Sequence, residues 1–377
     1  MMKILHAYIF RGLLSNFIIS TVIFLSVLIM GSMIKDAAEH LMQGVPLQDI
    51  GLLFLLLLPY FLSASIPMAL LTSILLNFGR MSQDNEVIAI KSSGISIYQI
   101  AVPIWLFAIF LSLMTFKINN ETIPYSHFAA RKLMLEIGLK NPTAYLEPGN
   151  FVEIFPNHII FIRDKKDALL KEVIIYQTVE EVNETTHQTI KKIKTITAKE
   201  GMIQYLPDKH LISLQLKDGN IQEPTDENPT EFYNLQFGSY TVNLDTSQLG
   251  QDPTAIQKKH KDMTIPELKA KIAEMQTKNA TLAMISPLIT EIHKKIAISF
   301  SCIIFTLIGI PLGIRAHRSE KTVGIGLSLL LVFFYYLFII FGKALDDKPE
   351  FYPHLMMWIP NTILGIAGFF LMKKSAR

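Results

Sequence analysis

Six long runs of apolar residues alternate with polar segments along the chain. They occupy residues 12–34, 50–79, 92–116, 296–314, 322–342 and 351–372, and contain no Asp, Glu, Lys or Arg. The hydrocarbon core of a bilayer requires about 20 apolar helical residues, so each run predicts a transmembrane helix. The first run is longer than the roughly 7–15 apolar residues of a signal peptide, and we interpret it as a retained span.

Between the third and fourth runs the pattern changes to an alternation of apolar and polar residues. Strand-like segments lie at 151–155, 158–163, 172–178, 194–203, 212–217 and 232–244. Asp218 and Gly219 suggest a turn after the fifth of them. Regularly spaced short strands with turn signals are typical of a sandwich or jelly roll. The expected fold is therefore a membrane α-helical protein of six transmembrane helices with an inserted, jelly-roll-like all-β domain.

Helices are predicted on both sides of this β-domain. Residues 124–140 continue from the third run, and Thr264 with Glu267 forms a capping box that opens an amphipathic helix. We divide the chain into three parts. Residues 1–121 hold three spans and a polar loop at 80–96, and residues 122–262 hold the β-domain with its helical lead-in. Residues 263–377 hold the amphipathic connector and the last three spans.

Basic residues are concentrated at the chain ends and in the loops after the second and fourth runs. They are Lys3, Arg11, Arg80, Lys91, Arg315, Arg318, Lys321, Lys373, Lys374 and Arg377. Short cytoplasmic loops carry an excess of Lys and Arg. We therefore expect both termini in the cytoplasm and the β-domain on the other side of the membrane.

Composition and missing motifs exclude several functions. The net charge of +3 is too small to indicate nucleic-acid binding, and the 18% of charged residues is low for a soluble domain. The single cysteine, Cys302, lies in an apolar run and suits a packing role. The sequence has no P-loop, HExxH or GxSxG motif and no metal-type spacing, so no catalytic centre, metal or cofactor is expected. Charge-free spans also argue against a proton- or sodium-coupled transporter.

The loop after the second run, RMSQDNEVIAIKSSG at 80–94, has the pattern of a short capped helix. Acidic residues stand at its start and a lysine near its end, which matches the helix dipole, and Gly94 is a candidate for the position after the helix. Permeases of ATP-binding-cassette transporters dock their ATPase with such a helix, although a connector helix resting on the membrane would look the same. The candidate coupling residues are Asp84, Glu86, Val87, Ile90 and Lys91.

Cations also flank the runs on the expected outer side, against the general charge trend. The candidates for holding the phosphates of an anionic lipid headgroup are Lys35, Lys294 and Lys295. Ordinary snorkelling of helix-end lysines explains the same pattern, and His293 suits a structural role. The segment Gly309–Ile314, GIPLGI, allows either a kink or close helix packing.

Four segments resemble one known family, the LptF/LptG permeases, also called YjgP/YjgQ. They are Glu291–Leu345, Met357–Leu371, the loop Glu86–Ser96 and the start Ile4–Leu14. The resemblance covers the chain in order, from three spans through a β-domain to three more spans. It fits an LptF-like and an LptG-like subunit equally.

The resemblance implies a subunit of the lipopolysaccharide exporter in the bacterial inner membrane. Implied partners are a second LptF/LptG-type subunit, a cytoplasmic LptB ATPase dimer, and the periplasmic proteins LptC and LptA. Lipopolysaccharide would leave the outer leaflet near the first and fifth spans and pass to periplasmic jelly rolls. By the same resemblance Glu86 faces the ATPase and Lys35 lies near the lipid headgroup.

Two other classes of protein remain open at this point. One is a membrane scaffold or sensor that transports nothing and binds a periplasmic partner through its β-domain. The other is a MacB- or FtsX-like permease, but these have four spans per chain. Exposing lipid chains to water costs about 0.8 kcal/mol per CH₂, so an exporter must cover them throughout, and a charge-free helical path followed by a β-domain suits that need.

Overall fold

In the computed structural model of this chain, helices form both ends and strands form the middle. The structure describes residues 2–42, 45–140, 149, 151–152, 157–166, 169–182, 189–206, 211–224, 232–245, 258–278, 280–315 and 321–376. The α-helices there are α1 Met2–Met42, α2 Leu47–Gln83, α3 Glu86–Ser92, α4 Ile97–Lys117, α5 Ile123–Lys140, α6 Ile265–Thr277, α7 Leu282–Arg315, α8 Lys321–Ala344, α9 Pro353–Met356 and α10 Ile359–Ala376.

Within the described residues, six helical stretches are long and apolar enough to cross a membrane, as the sequence predicted. In order, these spans are Met2–Ile34, Leu47–Gln83, Ile97–Met134, Leu282–Arg315, Gly324–Ala344 and Pro353–Ser375. Several extend beyond the apolar runs, and the fourth takes in Glu291, Lys294 and Lys295. Large apolar side chains are widely exposed on these helices, which suits a lipid environment. The protein is a membrane protein.

The chain divides into two compact units, and the helical unit comprises Met1–Ile34, Phe54–Ala129 and Lys258–Arg377. Within it, α7 packs against α4 and α10. A Cβ added at Gly313 would lie 2.8 Å from the Cβ of Phe78 in α2, and one at Gly309 would lie 3.1 Å from side-chain atoms of Leu71 and Ile74. The glycines of the GIPLGI segment therefore permit close packing of α7 on α2.

A π-helical turn, Ile118–Thr122, joins α4 to α5 without a break. Its Asn119 is buried and accepts a hydrogen bond from Ser63 of α2 at 3.0 Å. The amide nitrogen of Asn119 donates to the Ser299 hydroxyl of α7 at 3.3 Å. The next residue, Asn120, accepts from the backbone N–H of Ile265 at 2.8 Å. This turn thus links three spans and the start of α6.

The second unit comprises Lys35–Leu53 and Ala130–Gln257, and its described residues form a six-stranded antiparallel sheet. The strands follow chain order: β1 Phe151–Val152, β2 His158–Lys166, β3 Leu169–Val182, β4 Thr189–Leu206, β5 Leu211–Pro224 and β6 Phe232–Asp245. Residues 153–155, which the sequence assigned to the first strand, lie outside the described residues. Among the described strands, β1 and β6 are edges and no barrel closes.

The strand pairing is interrupted along one line across this sheet, which we call the crease. Between each two neighbouring strands from β2 to β6 one residue pair is missing, and the residues concerned form a row across the strands: Arg163, Glu172, Lys199, Asp218 and Gly238. Glu172 and Asp218 have positive φ angles of 49° and 48°. In β5 the buried apolar residues before this row, Leu214 and Leu216, have even numbers, whereas the buried Ile221 after the row has an odd number. Both halves of the sheet therefore bury the same face, and they share one apolar core.

The turn predicted at Asp218 and Gly219 is wrong, because β5 runs through both residues. These residues bend the strand at the crease instead of reversing it. A Cβ at Gly219 would collide with the carbonyl oxygen of Thr197 and the ring of Phe237, so the close approach of neighbouring strands requires glycine here.

Candidate functional site

The loop after the second span folds as the short helix α3, as its pattern predicted. Its C-terminus has the hydrogen bonds of a Schellman motif: Gly94 N–H to the Lys91 carbonyl at 2.9 Å and Ile95 N–H to the Ile90 carbonyl at 3.4 Å. Gly94 has a φ of +80°, so it occupies the left-handed position after the helix. At the other end Asn85 is also left-handed, with no side-chain cap.

One side of α3 packs on the helical unit and the other is exposed. Val87 is 3% exposed, and Ile90 and Ile95 pack against the same apolar cluster. Asp84 and Lys91 are exposed. Two of the predicted coupling residues, Val87 and Ile90, thus hold α3 in place and do not lie on its free surface.

Ile88 is the residue that the sequence reasoning did not select. It is 51% exposed on the free side of α3; the exposed Asp84 lies just before the helix and the exposed Lys91 lies near its end. Helical spacing contained the signal, because residues three apart share a face, and Ile88 and Lys91 are three apart. The exposed side of α3 therefore presents an apolar residue beside a base, and an acid precedes the helix.

Glu86 lies at the start of α3 in a chain of hydrogen bonds that reaches the first two spans. The Tyr8 hydroxyl of α1 donates to Glu86 Oε1 at 2.8 Å. Arg80 at the end of α2 donates from Nη2 to that hydroxyl at 3.2 Å, and its guanidinium carbon lies 5.8 Å from the centre of the Tyr8 ring. Glu86 Oε2 is shielded from solvent and has no hydrogen-bond partner among the described residues.

Lys91 connects the other end of α3 to the sixth span. Its Nζ donates to the backbone carbonyl of Ser375 in α10 at 3.1 Å. The charged residues predicted for coupling are therefore brought to one end of the helical unit, where Glu86 and Lys91 already have partners within the chain and Asp84 stands exposed.

The lysines predicted to bind a lipid headgroup are placed differently from one another. Lys35 belongs to α1, but its side chain lies outside the described part of the chain. Lys294 of α7 pairs with Glu291 at 2.6 Å and its side chain is 18% exposed. Lys295 is 3% exposed and donates to the Met263 carbonyl at 2.5 Å. A buried charge needs such a partner, so this hydrogen bond gives Lys295 a structural role. Headgroup binding stays a prediction for all three lysines.

The residues just before α6 form a polar cluster that the sequence did not reveal. Asp262 is buried; one carboxylate oxygen contacts His127 Nδ1 at 2.5 Å and the other accepts from the Lys259 backbone N–H at 2.9 Å. In the predicted capping box Glu267 accepts from the Thr264 N–H at 2.7 Å. Burial raises the pKa of Glu267, but hydrogen bonds from Lys258 and Thr264 outweigh it, so the pKa lies below its usual value.

The remaining candidates have packing roles. The Trp358 indole donates to His293 Nδ1 at 3.0 Å, which gives His293 the structural role expected of it. Cys302 is fully buried. Within the described residues no group of three or more His, Cys, Asp or Glu is arranged to hold a metal ion.

Comparison with known proteins identifies the family to which this chain belongs. Residues 7–374 match the family model described as the lipopolysaccharide export system permease LptF/LptG. An uncharacterized protein of Rickettsia prowazekii (strain Madrid E) is 24% identical over 136 residues, which make up 36% of this chain and 38% of that relative. The family match includes both helical ends and the sheet between them. The chain therefore belongs to the LptF/LptG family of lipopolysaccharide export permeases.

Proposed function

We propose that this protein is the permease subunit of an ATP-driven lipopolysaccharide exporter. It extracts the lipid from the outer leaflet of the bacterial inner membrane and passes it to a periplasmic bridge of β-jelly-roll domains. The observation that carries the proposal is the family match over residues 7–374. A permease is a transporter component, and the chain contains no P-loop, so ATP hydrolysis belongs to a partner.

The exposed side of α3 is the proposed docking surface for that partner, a dimer of the ATPase LptB. Ile88 and Lys91 are exposed there, and the exposed Asp84 lies just before the helix. An apolar centre with charged neighbours suits a small helix that enters a groove on another protein. Docking here places the loop 80–96 and both chain termini in the cytoplasm, in agreement with the excess of basic residues in these segments.

The exposed apolar helix faces support a second LptF/LptG-type subunit beside this one. Along the first span at least half of each of these side chains is exposed: Ile18, Ile19, Val22, Ile23, Val27, Met30 and Ile34. In the fifth span the same holds for Leu329, Leu330, Phe333, Ile340 and Phe341. We propose that the lateral opening for lipid lies near these two spans.

The sheet is the proposed periplasmic part, within a domain at about 122–262 that lies between the span-bearing segments 1–121 and 263–377. Strand segments on both sides of the crease contribute side chains to one apolar core, and this core would line a path for acyl chains. Covering the chains is necessary because each exposed CH₂ costs about 0.8 kcal/mol. We propose that the complete domain is a jelly roll that hands lipid to LptC and LptA. No cofactor is required.

Affinity purification from detergent tests the proposal. The tagged chain should retain a cytoplasmic ATPase, a second six-span subunit and lipopolysaccharide, and the complex in liposomes should release lipid to a soluble jelly-roll acceptor only with ATP. A chain that purifies with a periplasmic partner but no ATPase and no lipid would instead be a membrane scaffold or sensor.

A further inference from the structure

The first span is fastened to the rest of the helical unit at one end. Near its start Ile9 and Leu13 are buried. The Asn77 amide of α2 donates to the Ile9 carbonyl at 3.3 Å, and a Cβ at Gly12 would come within 2.5 Å of Asn77 Oδ1. We call this segment, residues 6–13, the foot of α1. Beyond the foot, from Ile18 to Ile34, the apolar side chains named above are at least half exposed.

Polar contacts between the foot and α3 run through Tyr8. Its hydroxyl donates to Glu86 at 2.8 Å and accepts from Arg80 at 3.2 Å. One phenol therefore joins the first span, the end of the second span and the coupling helix. Tyr8 is 43% exposed, and phenylalanine would keep the contact of its ring with Arg80 but could form neither hydrogen bond.

The opposite end of α3 is tied to the sixth span by the bond from Lys91 to the Ser375 carbonyl. The helix thus has polar attachments to the first span at its N-terminus and to the last span at its C-terminus. Its Val87 is buried in the apolar cluster of the helical unit. The helix is therefore attached to two spans that are far apart in sequence.

We infer that Tyr8 is a positioning residue that fastens α3 to the foot of the first span, so that the two move together when the ATPase acts on α3. The inference rests on the proposed function, because it concerns how the coupling surface drives the membrane helices. The part of the first span beyond the foot, which has one exposed apolar face, would then respond to a displacement that begins at Glu86.

The test compares Tyr8→Phe with the unchanged chain in the complete complex in liposomes. Tyr8→Phe should keep the ATPase bound and ATP hydrolysis within about twofold, while lipid released per ATP falls about tenfold. That factor corresponds to the loss of one hydrogen bond to a charged group. Tyr98→Phe is the matched control, since Tyr98 lies exposed at the start of α4; it should leave the ratio unchanged.

A spin-label distance reports the motion itself. Labels at Val27→Cys in the first span and Ile366→Cys in the sixth are attached to exposed positions, in a Cys302→Ala background that removes the only native cysteine. Adding ATP should change this distance in the unchanged chain and not in Tyr8→Phe. An equal lipid-to-ATP ratio, or an equal distance change, in Tyr8→Phe would overturn the inference.

Hydrogen exchange of the purified chain without its ATPase distinguishes a failure of the Tyr8 inference from a failure of the proposed function. Tyr8→Phe should increase exchange of the α3 amides by about tenfold, and unaltered exchange would show that the tie does not hold α3. If exchange increases but the unchanged chain recruits no ATPase, the proposed function fails while the contact stands, and the role of Tyr8 in coupling fails with it.

Discussion

Replacing Glu86 with lysine would bring a second positive charge next to Arg80 at the start of α3. The native carboxylate accepts the Tyr8 hydroxyl at 2.8 Å, and that hydroxyl already accepts a hydrogen bond from Arg80. An ammonium group cannot accept from Tyr8. Loss of a hydrogen bond to a charged group costs about 1.5–3 kcal/mol, and the half-buried position of Glu86 favours the lower end of that range.

The effect on docking is expected to exceed this internal cost. If Glu86 meets a basic group of the ATPase, its reversal opposes like charges at a buried contact and costs about 2–5 kcal/mol. At 1.4 kcal/mol per factor of ten, the affinity for the ATPase should fall by at least about thirtyfold. Glu86→Gln keeps an oxygen that accepts from Tyr8 and loses the charge, which contributes only about 0.3–1 kcal/mol through the helix dipole.

The assay measures ATPase affinity, ATP hydrolysis and lipid release for the purified complex in liposomes. Glu350→Lys makes the same charge reversal at an exposed position between the fifth and sixth spans and serves as the control. A compensating acidic substitution in the ATPase groove should restore part of the affinity of Glu86→Lys. Normal affinity and normal export by Glu86→Lys would refute the assignment of α3 as the coupling helix.

Three further predictions concern packing, pH and the lipid. Gly313→Ala should lower the thermal unfolding temperature in detergent, since overpacking costs about 1–3 kcal/mol, whereas Gly326→Ala has open space and should not lower it; equal behaviour would contradict the packing argument. The depressed pKa of Glu267, bound to Lys258, adds stability that is present above the unfolded pKa of about 4.3 and lost as pH falls through the folded value. Glu267→Gln should therefore flatten the acid end of a stability-versus-pH curve, and an unchanged curve would rule this out. Lys35→Asp should reduce crosslinking of lipopolysaccharide while the complex still assembles; undiminished crosslinking and growth would exclude a headgroup role.

The spans were predictable because their apolar side chains form unbroken runs, but their ends were not. The sequence reading began the fourth span at 296, after the charges of Glu291, Lys294 and Lys295. The helix begins at Leu282 and includes these charges, because Glu291 pairs with Lys294 and Lys295 reaches the Met263 carbonyl. The partner of Glu291 lies three residues away on the same helix, and the partner of Lys295 lies 32 residues away; a hydropathy pattern contains neither pairing.

In the coupling helix, too, features set by neighbouring residues were predictable from the sequence, and contacts between distant residues were not. Gly94 marked its end correctly, since a left-handed position after a helix is a local requirement. Tyr8 was missed as the partner of Glu86 and of Arg80, because contacts 78 and 72 residues apart in sequence leave no periodic trace. In the sheet, the alternation changes phase at the crease, and this change made the bend at Asp218 resemble a turn.

The π-helical turn at Ile118–Thr122 has a consequence for how this chain can tolerate insertions and deletions. A π-turn is an α-helix with one extra residue, and each residue of an α-helix rotates the chain by about 100°. Deleting one residue there would restore a regular helix and leave His127 and Phe128 on nearly the same sides of its axis, because five π-helical residues turn the chain about as far as four α-helical ones. His127 would then still reach Asp262, and Phe128 would stay near Lys258, whose Nζ lies 5.9 Å from the ring centre. Deleting a residue from the regular part of α5 before His127 would instead rotate both side chains by about 100°, so the connector contacts tolerate a deletion in this turn better than one beside it.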